Sequence, residues 1–233
     1  MSSKCTLIFG GWSLSPALLK DCFGPGCILI DCNSIMPALF DDNYHLYSNW
    51  PQQLKQQLHL PDSTRYHLAG WSAGAMLAIA LSSIVPIYML TLISPTLSFC
   101  RRANFRYGTH PSVLRTMREQ LLKEPGNVLT KFYRSCGFGE AFKPVSTCTT
   151  EQLTMGLHFL EQADLVQNGC TCSNTIIIHG RNDAIIPYPS AEMTASVCGG
   201  TLYSIDAGHA VFYGREKEIA NYIQIHTTEG NFS

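Results

Sequence analysis

The chain of 233 residues has little charge and no surplus of either sign: Asp, Glu, Lys and Arg make up 14% of it and the formal net charge is −1. Binding to nucleic acid through overall charge is thereby excluded. No apolar run approaches the roughly 20 residues that a membrane span needs, and no repeat or low-complexity tract suggests a solenoid or fibre. Met1-Ser2-Ser3-Lys4-Cys5 leads into an apolar stretch of four residues, without the apolar region or cleavage site of a secretory signal, so a cytoplasmic location is expected. Cysteine is abundant, at ten residues, but unpatterned: Cys170-Thr171-Cys172 is the only close pair and no matching His set accompanies it. Reduced thiols, no metal and no cofactor are expected. What the chain does have is 45% hydrophobic residues at a mean hydropathy of +0.04. At this length that suffices to bury about 70–75% of the unfolded surface without staples.

Six short, nearly continuous apolar runs read as strands covered on both faces: Thr6–Phe9, Cys27–Asp31, Tyr66–Ala69, Tyr88–Ile93, Thr175–His179 and Thr201–Ile205. Helical segments fall between them, at Trp50–Leu60, Ala73–Ser83, Ser190–Val197 and Arg215–Ile225. The alternation predicts an α/β fold with a mostly parallel sheet of about six strands. It breaks once, after Ser94-Pro95, where Ser112–Lys123, Asn127–Arg134 and Thr150–Asp164 read as helices with no strand between them. Residues 1–95 and 175–233 therefore form the expected core, and 96–174 an inserted helical cap. Charge is uneven across that division. Residues 101–143 hold nine basic and three acidic side chains, a local +6, against −7 for the remainder.

In Tyr66-His67-Leu68-Ala69-Gly70-Trp71-Ser72-Ala73-Gly74 a strand ends, Gly-x-Ser-x-Gly follows and a run of small, helix-compatible residues begins. A sharp strand-to-helix turn would lift the Ser72 hydroxyl to the sheet's carboxyl edge over a helix N-terminus, and glycines remove the Cβ atoms that so tight a turn would crowd. A serine hydroxyl needs a base and the base a carboxylate. Of eight histidines, His209 sits in a glycine-preceded loop past the last strand; His179 lies inside a strand, and His45, His59, His67, His110 and His158 fall in exposed or helical contexts. Asp183, just past the fifth strand, is the expected acid, with Asp206 a rival read as a turn residue. The backbone N–H of Ala73 and that of Trp12, in Phe9-Gly10-Gly11-Trp12-Ser13, would bind an oxyanion, and Trp12 and Trp71 would form an apolar wall for an acyl chain.

At these residues the chain resembles the α/β-hydrolase superfamily, and more narrowly the pimeloyl-[acyl-carrier protein] methyl ester carboxylesterases. Gly11-Trp12, Gly70-Trp71-Ser72-x-Gly74 and Ser94-Pro95 are similar to that family, as are Pro111-Ser112-Val113-Leu114 and Gly156-Leu157-x-x-Leu160-x-x-x-Asp164-Leu165 in the cap. His179-Gly180-x-x-Asp183-x-x-x-Pro187 and Ala207-Gly208-His209-Ala210 are shared more widely. The family's His-Gly-Trp-Gly reads Gly10-Gly11-Trp12-Ser13 here, without the loop's histidine, and two arginines of the cap read Asn127 and Lys131, followed by the shared Phe132. The resemblance implies a serine esterase acting through Ser72, Asp183 and His209, with Trp12, Ala73, Trp71 and Phe132 around the substrate. It also implies hydrolysis of the methyl ester of pimeloyl-acyl-carrier protein. An acidic carrier protein suits the basic block, with Arg101, Arg102, Arg118, Lys131 and Arg134 as its candidate contacts; a monomer without membrane or nucleic-acid partners is expected. A carboxylesterase for small soluble esters, a lyase of the menaquinone type on the same fold, and a non-catalytic carrier-binding module remain open alternatives.

Overall fold

The computed structural model describes residues 3–142, 148–167, 170 and 172–229. Its strands are β1 (Ser3–Phe9), β2 (Ile28–Ile30), β3 (Thr64–Trp71), β4 (Ile87–Ile93), β5 (Thr175–Gly180) and β6 (Thr201–Ile205). Its helices are α1 (Lys20–Phe23), α2 (Cys32–Ile35), α3 (Trp50–Gln57), α4 (Ala73–Ser82), α5 (Pro111–Lys123), α6 (Pro125–Ser135), α7 (Thr150–Gln162), α8 (Tyr188–Cys198) and α9 (Glu216–Glu229). The six strands form one sheet in the order β2-β1-β3-β4-β5-β6, and every pairing is parallel. The sheet is thus wholly rather than mostly parallel among the described residues. α1 and α2, each a single turn, escape a periodicity reading because four residues hold no repeat.

Successive residues of a strand face opposite sides, and the two apolar cores follow that rule. Leu7, Phe9, Tyr66, Leu68 and Ile177 pack on one face with α3, α4 and α8. Ile8, Ala69, Trp71, Ile176 and Ile178 pack on the other with α9. All ten residues of α4 are buried, which is why Ala73–Ser82 shows no polar stripe. α5, α6 and α7 lie between β4 and β5 in the chain and bury Leu114, Leu121, Val128, Leu153, Leu157 and Leu160 against the first core. α7 starts at a capping box in which the Thr149 side chain accepts from the Gln152 N–H and the Gln152 side chain accepts from the Thr149 N–H. Among the described residues no helix is long and apolar enough to cross a membrane.

Two expectations are corrected. His67 is not exposed or helical but lies in β3, 5% exposed, with Nε2 at 2.8 Å from Thr91 Oγ1; a strand buried on both faces leaves no solvent side for a polar residue to occupy. Burial pushes its pKa down to about 4. Cys170 is not a reduced thiol: it is joined to Cys198 at the end of α8. Thr171 and Lys143 lie outside the described residues.

Candidate active site

The carboxyl edge of the sheet gathers the three candidate residues. Ser72 follows β3 directly, in a left-handed conformation (φ 57°, ψ −119°) outside the regions a side chain prefers. Its N–H is held by the Ile93 carbonyl at 2.9 Å. The glycines on either side make the turn possible: a Cβ on Gly70 would strike the Gly74 carbonyl, and one on Gly74 would strike the Gly10 and Phe9 carbonyls. α4 begins at Ala73, whose N–H is one of the helix's unsatisfied first-turn donors.

Asp183 lies three residues past β5. Its Oδ1 accepts from the Ile185 and Ile186 N–H groups at 2.8 and 2.9 Å, and its Oδ2 stands 2.8 Å from His209 Nδ1 and 3.4 Å from His179 Nε2. Burial alone would raise the Asp183 carboxyl, but the charge and hydrogen bond of His209, with His179 and the Ile186 N–H, outweigh it and hold the pKa below its ordinary value. An ionised carboxylate only accepts, so in the neutral form of His209 the proton sits on Nδ1 and Nε2 presents a lone pair. That Nε2 is buried and has no hydrogen-bond partner among the described residues. The His209 carbonyl is fixed by two donors, Ser94 Oγ at 2.8 Å and Trp71 Nε1 at 3.1 Å, and the next residue, Ala210, donates its N–H to the Cys136 carbonyl at 2.8 Å. The rival acid, Asp206, instead accepts from Asn182 Nδ2 at 2.7 Å.

Trp12 stands after β1 with its Nε1 donating to the Leu153 carbonyl of α7 at 2.8 Å and its ring edge-on to Phe132 at 4.9 Å. Trp71 does not join it as a wall. Strand alternation sends its indole, 1% exposed, to the opposite face, against His209, Phe138 and Phe212. Trp71 supports the histidine loop.

α5 and α6 border an open pocket of about 440 Å³ lined by Val113, Met117, Val128, Lys131, Phe132 and Ile185; it meets the site through Phe132, which packs on Trp12, and is not lined by Ser72 or His209. Gln120, Val128 and Lys131 also border a second, more polar space of about 290 Å³ that adds Lys123 and Asn127. The five cap cations divide. Arg118 is spent on Glu161 at 2.5 Å, with only 14% of its side chain exposed, and Arg102 donates to the Glu161 carbonyl and to Ser98 Oγ. Both are inward braces between the cap's own segments rather than free contacts, since a charge that leaves water needs a partner. Arg101 is exposed and donates Nε to the Gly108 carbonyl, and Arg134 is exposed 3.5 Å from Glu140. Lys131 is exposed and forms no ion pair among the described residues. Sequence reasoning missed Cys32 and Asn33 beneath the Trp12 loop, and Val113, Met117 and Ile185 on the cavity wall. None of these carries a local motif; they meet the site only through the packing of distant segments.

No family model matches the chain. It is 29% identical over 143 residues to the pimeloyl-[acyl-carrier protein] methyl ester esterase of Nitrosomonas europaea, covering 55% of this chain and 57% of that protein. It is 26% identical over 171 residues to the protein of that name in Stenotrophomonas maltophilia, covering 66% of each. The chain therefore spans somewhat more than half the length of the curated relatives it matches, and the resemblance read from its motifs is supported. Among solved structures, an esterase from Exiguobacterium antarcticum superposes with a TM-score of 0.73 at 17% identity, over 97% of this chain and 93% of that one. An enol-lactonase from Burkholderia xenovorans does so at 0.71 and 13%, over 98% and 92%. The fold is that of the α/β hydrolases.

Proposed function

We propose that the chain is a serine carboxylesterase whose nucleophile is Ser72. The observation that carries this reading is that one edge of the sheet holds both a strained serine at a strand-to-helix turn and His209, whose Nδ1 is held by Asp183 at 2.8 Å and whose buried Nε2 has no hydrogen-bond partner among the described residues. In the first half-reaction Ser72 Oγ attacks the ester carbonyl carbon while His209 Nε2 takes the hydroxyl proton. The carbonyl oxygen becomes an oxyanion facing the Ala73 and Trp12 N–H groups. Collapse breaks the bond to the alkoxy oxygen, which leaves as the alcohol with the proton from Nε2. Water then attacks the acyl-enzyme, Nε2 again takes its proton, and Ser72 leaves with that proton restored. Asp183 stays ionised throughout and steadies the imidazolium.

The substrate reading is the methyl ester of pimeloyl-acyl-carrier protein, with residues 96–174 acting as the cap. It is supported by the names of the relatives and by a cavity between α5 and α6 that is apolar inside, with Lys123 and Lys131 on the adjoining polar space. Free methanol would be the first product. A small-ester carboxylesterase is the second reading, favoured by one observation: Arg102 and Arg118 are committed to the protein's own groups. The two readings part on salt. Charge steering is screened over about 8 Å at physiological ionic strength. With a carrier-bound ester, kcat/KM should fall as salt rises and after charge reversal at Arg101 and Arg134, while a p-nitrophenyl ester should be unaffected. Parallel curves for the two esters would leave the small-ester reading. Ser72→Ala should lose on the order of 10⁴-fold or more on either ester; near-normal turnover would end both readings.

A further inference from the structure

We propose that Asn33 is a positioning residue that aims the Trp12 N–H at the oxyanion. This rests on the esterase reading above.

Asn33 is completely buried at the second position of α2, two residues after Asp31, which follows β2 and caps the helix. Its Oδ1 accepts from the Ser13 N–H at 2.8 Å and its Nδ2 donates to the Gly11 carbonyl at 3.3 Å. One side chain thus grips the peptide group on each side of Trp12. The Gly11 carbonyl and the Trp12 N–H belong to one planar trans peptide and point in opposite directions. Drawing the carbonyl oxygen toward α2 therefore turns the N–H away from α2. The same oxygen receives Cys32 Sγ at 3.3 Å and the Leu14 N–H at 3.4 Å, and Cys32 Sγ also stands 3.1 Å from the Gly10 carbonyl. Burial, with Asp31 nearby, raises the Cys32 thiol well above its ordinary pKa, so it stays an S–H donor. Asn33 is itself oriented, because Nδ2 donates to Asp31 Oδ1 at 2.9 Å.

Two features show that this loop needs an external brace. Ser13 holds a left-handed conformation (φ 61°) that favours glycine, and its buried hydroxyl has no hydrogen-bond partner among the described residues. Gly10 and Gly11 precede Trp12, so the loop carries no side chain of its own there. The contacts of Asn33 with the Ser13 N–H and the Gly11 carbonyl answer backbone groups that would otherwise be buried with a weak partner or none.

The test measures kcat and KM on a p-nitrophenyl ester, and the affinity of an alkyl boronic acid, whose tetrahedral adduct on Ser72 Oγ places an oxygen where the oxyanion forms. Asn33→Ala should lower kcat roughly 10–100-fold, near the range for misplacing or removing one such donor. KM should stay within about threefold, because the donor matters most when charge develops. Boronate affinity should fall in step with kcat. A folded Asn33→Ala with kcat within about twofold of the unmutated protein and unaltered boronate affinity would overturn the proposal, whatever its effect on Tm. If Asn33→Ala does not fold, Asp31→Ala decides: it removes the acceptor that holds Nδ2, should lower kcat and boronate affinity together by several-fold, and overturns the proposal if it changes neither. An unmutated protein that neither hydrolyses the ester nor is labelled at Ser72 by a fluorophosphonate would overturn the esterase reading and this one with it. An active, labelled protein with unimpaired variants overturns this one alone.

Discussion

Replacing Gly156 by alanine sets two effects of opposite sign against each other. Gly156 lies inside α7, where alanine gains about 1 kcal/mol over glycine by restricting the unfolded chain. The added Cβ, however, would sit 2.5 Å from Trp12 Cδ1 and 2.8 Å from its Nε1. Ordinary carbon contacts lie near 3.5–4.0 Å, so the indole must retreat by about 1 Å. It has nowhere to go: Trp12 is 2% exposed, its Nε1 is held by the Leu153 carbonyl, and Phe132 stands against the ring at 4.9 Å. Overpacking of this kind costs about 1–3 kcal/mol, which outweighs the helix gain by up to about 2 kcal/mol and should lower Tm by a few degrees. Because the ring and the candidate oxyanion donor belong to one residue, kcat should fall as well, by about tenfold or more. Gly126, in the first turn of α6, is the comparison, since a Cβ there meets nothing within 4 Å. Urea unfolding and kcat on a p-nitrophenyl ester, measured for both variants, decide the matter. If Gly156→Ala proves as stable as Gly126→Ala and turns over normally, the coupling of α7 to the Trp12 loop is refuted.

The two carboxylates should separate cleanly: Asp183→Asn, which removes the acceptor that sets the His209 tautomer, should cut kcat by about 10³–10⁴-fold, whereas Asp206→Asn should alter kcat little. A larger kcat loss in Asp206→Asn than in Asp183→Asn would reverse the assignment. His67 makes stability depend on acid. Its folded pKa of about 4 lies below the ordinary 6.5, so between these values the unfolded chain takes up the proton first. Its contribution is whole above about pH 6.5 and falls away as pH drops toward 4, by at most about 3 kcal/mol. His67→Gln should flatten the dependence of the urea midpoint on pH across that window, and equal slopes for the two proteins would sink the idea.

What the chain discloses in advance and what it hides differ by the range over which the information is held. The strands declare themselves because β1, β3, β4 and β5 are buried on both faces, so their residues need no partner in view to be read as apolar runs. Gly70-Trp71-Ser72-Ala73-Gly74 is legible for a related reason: the strain at Ser72 and the backbone approach at Gly70 are settled within five residues. The ion pair of Arg118, a candidate carrier contact by sequence, is hidden because Glu161 lies on another helix and meets it only once α5 and α7 pack. The same holds for Cys170 and Cys198, 28 positions apart, and for Asn33, which reaches Ser13 across 20. Trp71 is a different case. Its face could have been deduced from alternation, since it shares parity with Ala69 and not with Leu68, but the proximity of Trp71 to Ser72 in the chain drew it toward the pocket. The chemistry of a hydrolase of this fold is therefore legible at its turns. The hydrogen bonds that hold those turns, Trp71 to the His209 carbonyl and Asn33 to the Ser13 N–H, are written across segments that only the folded chain brings together.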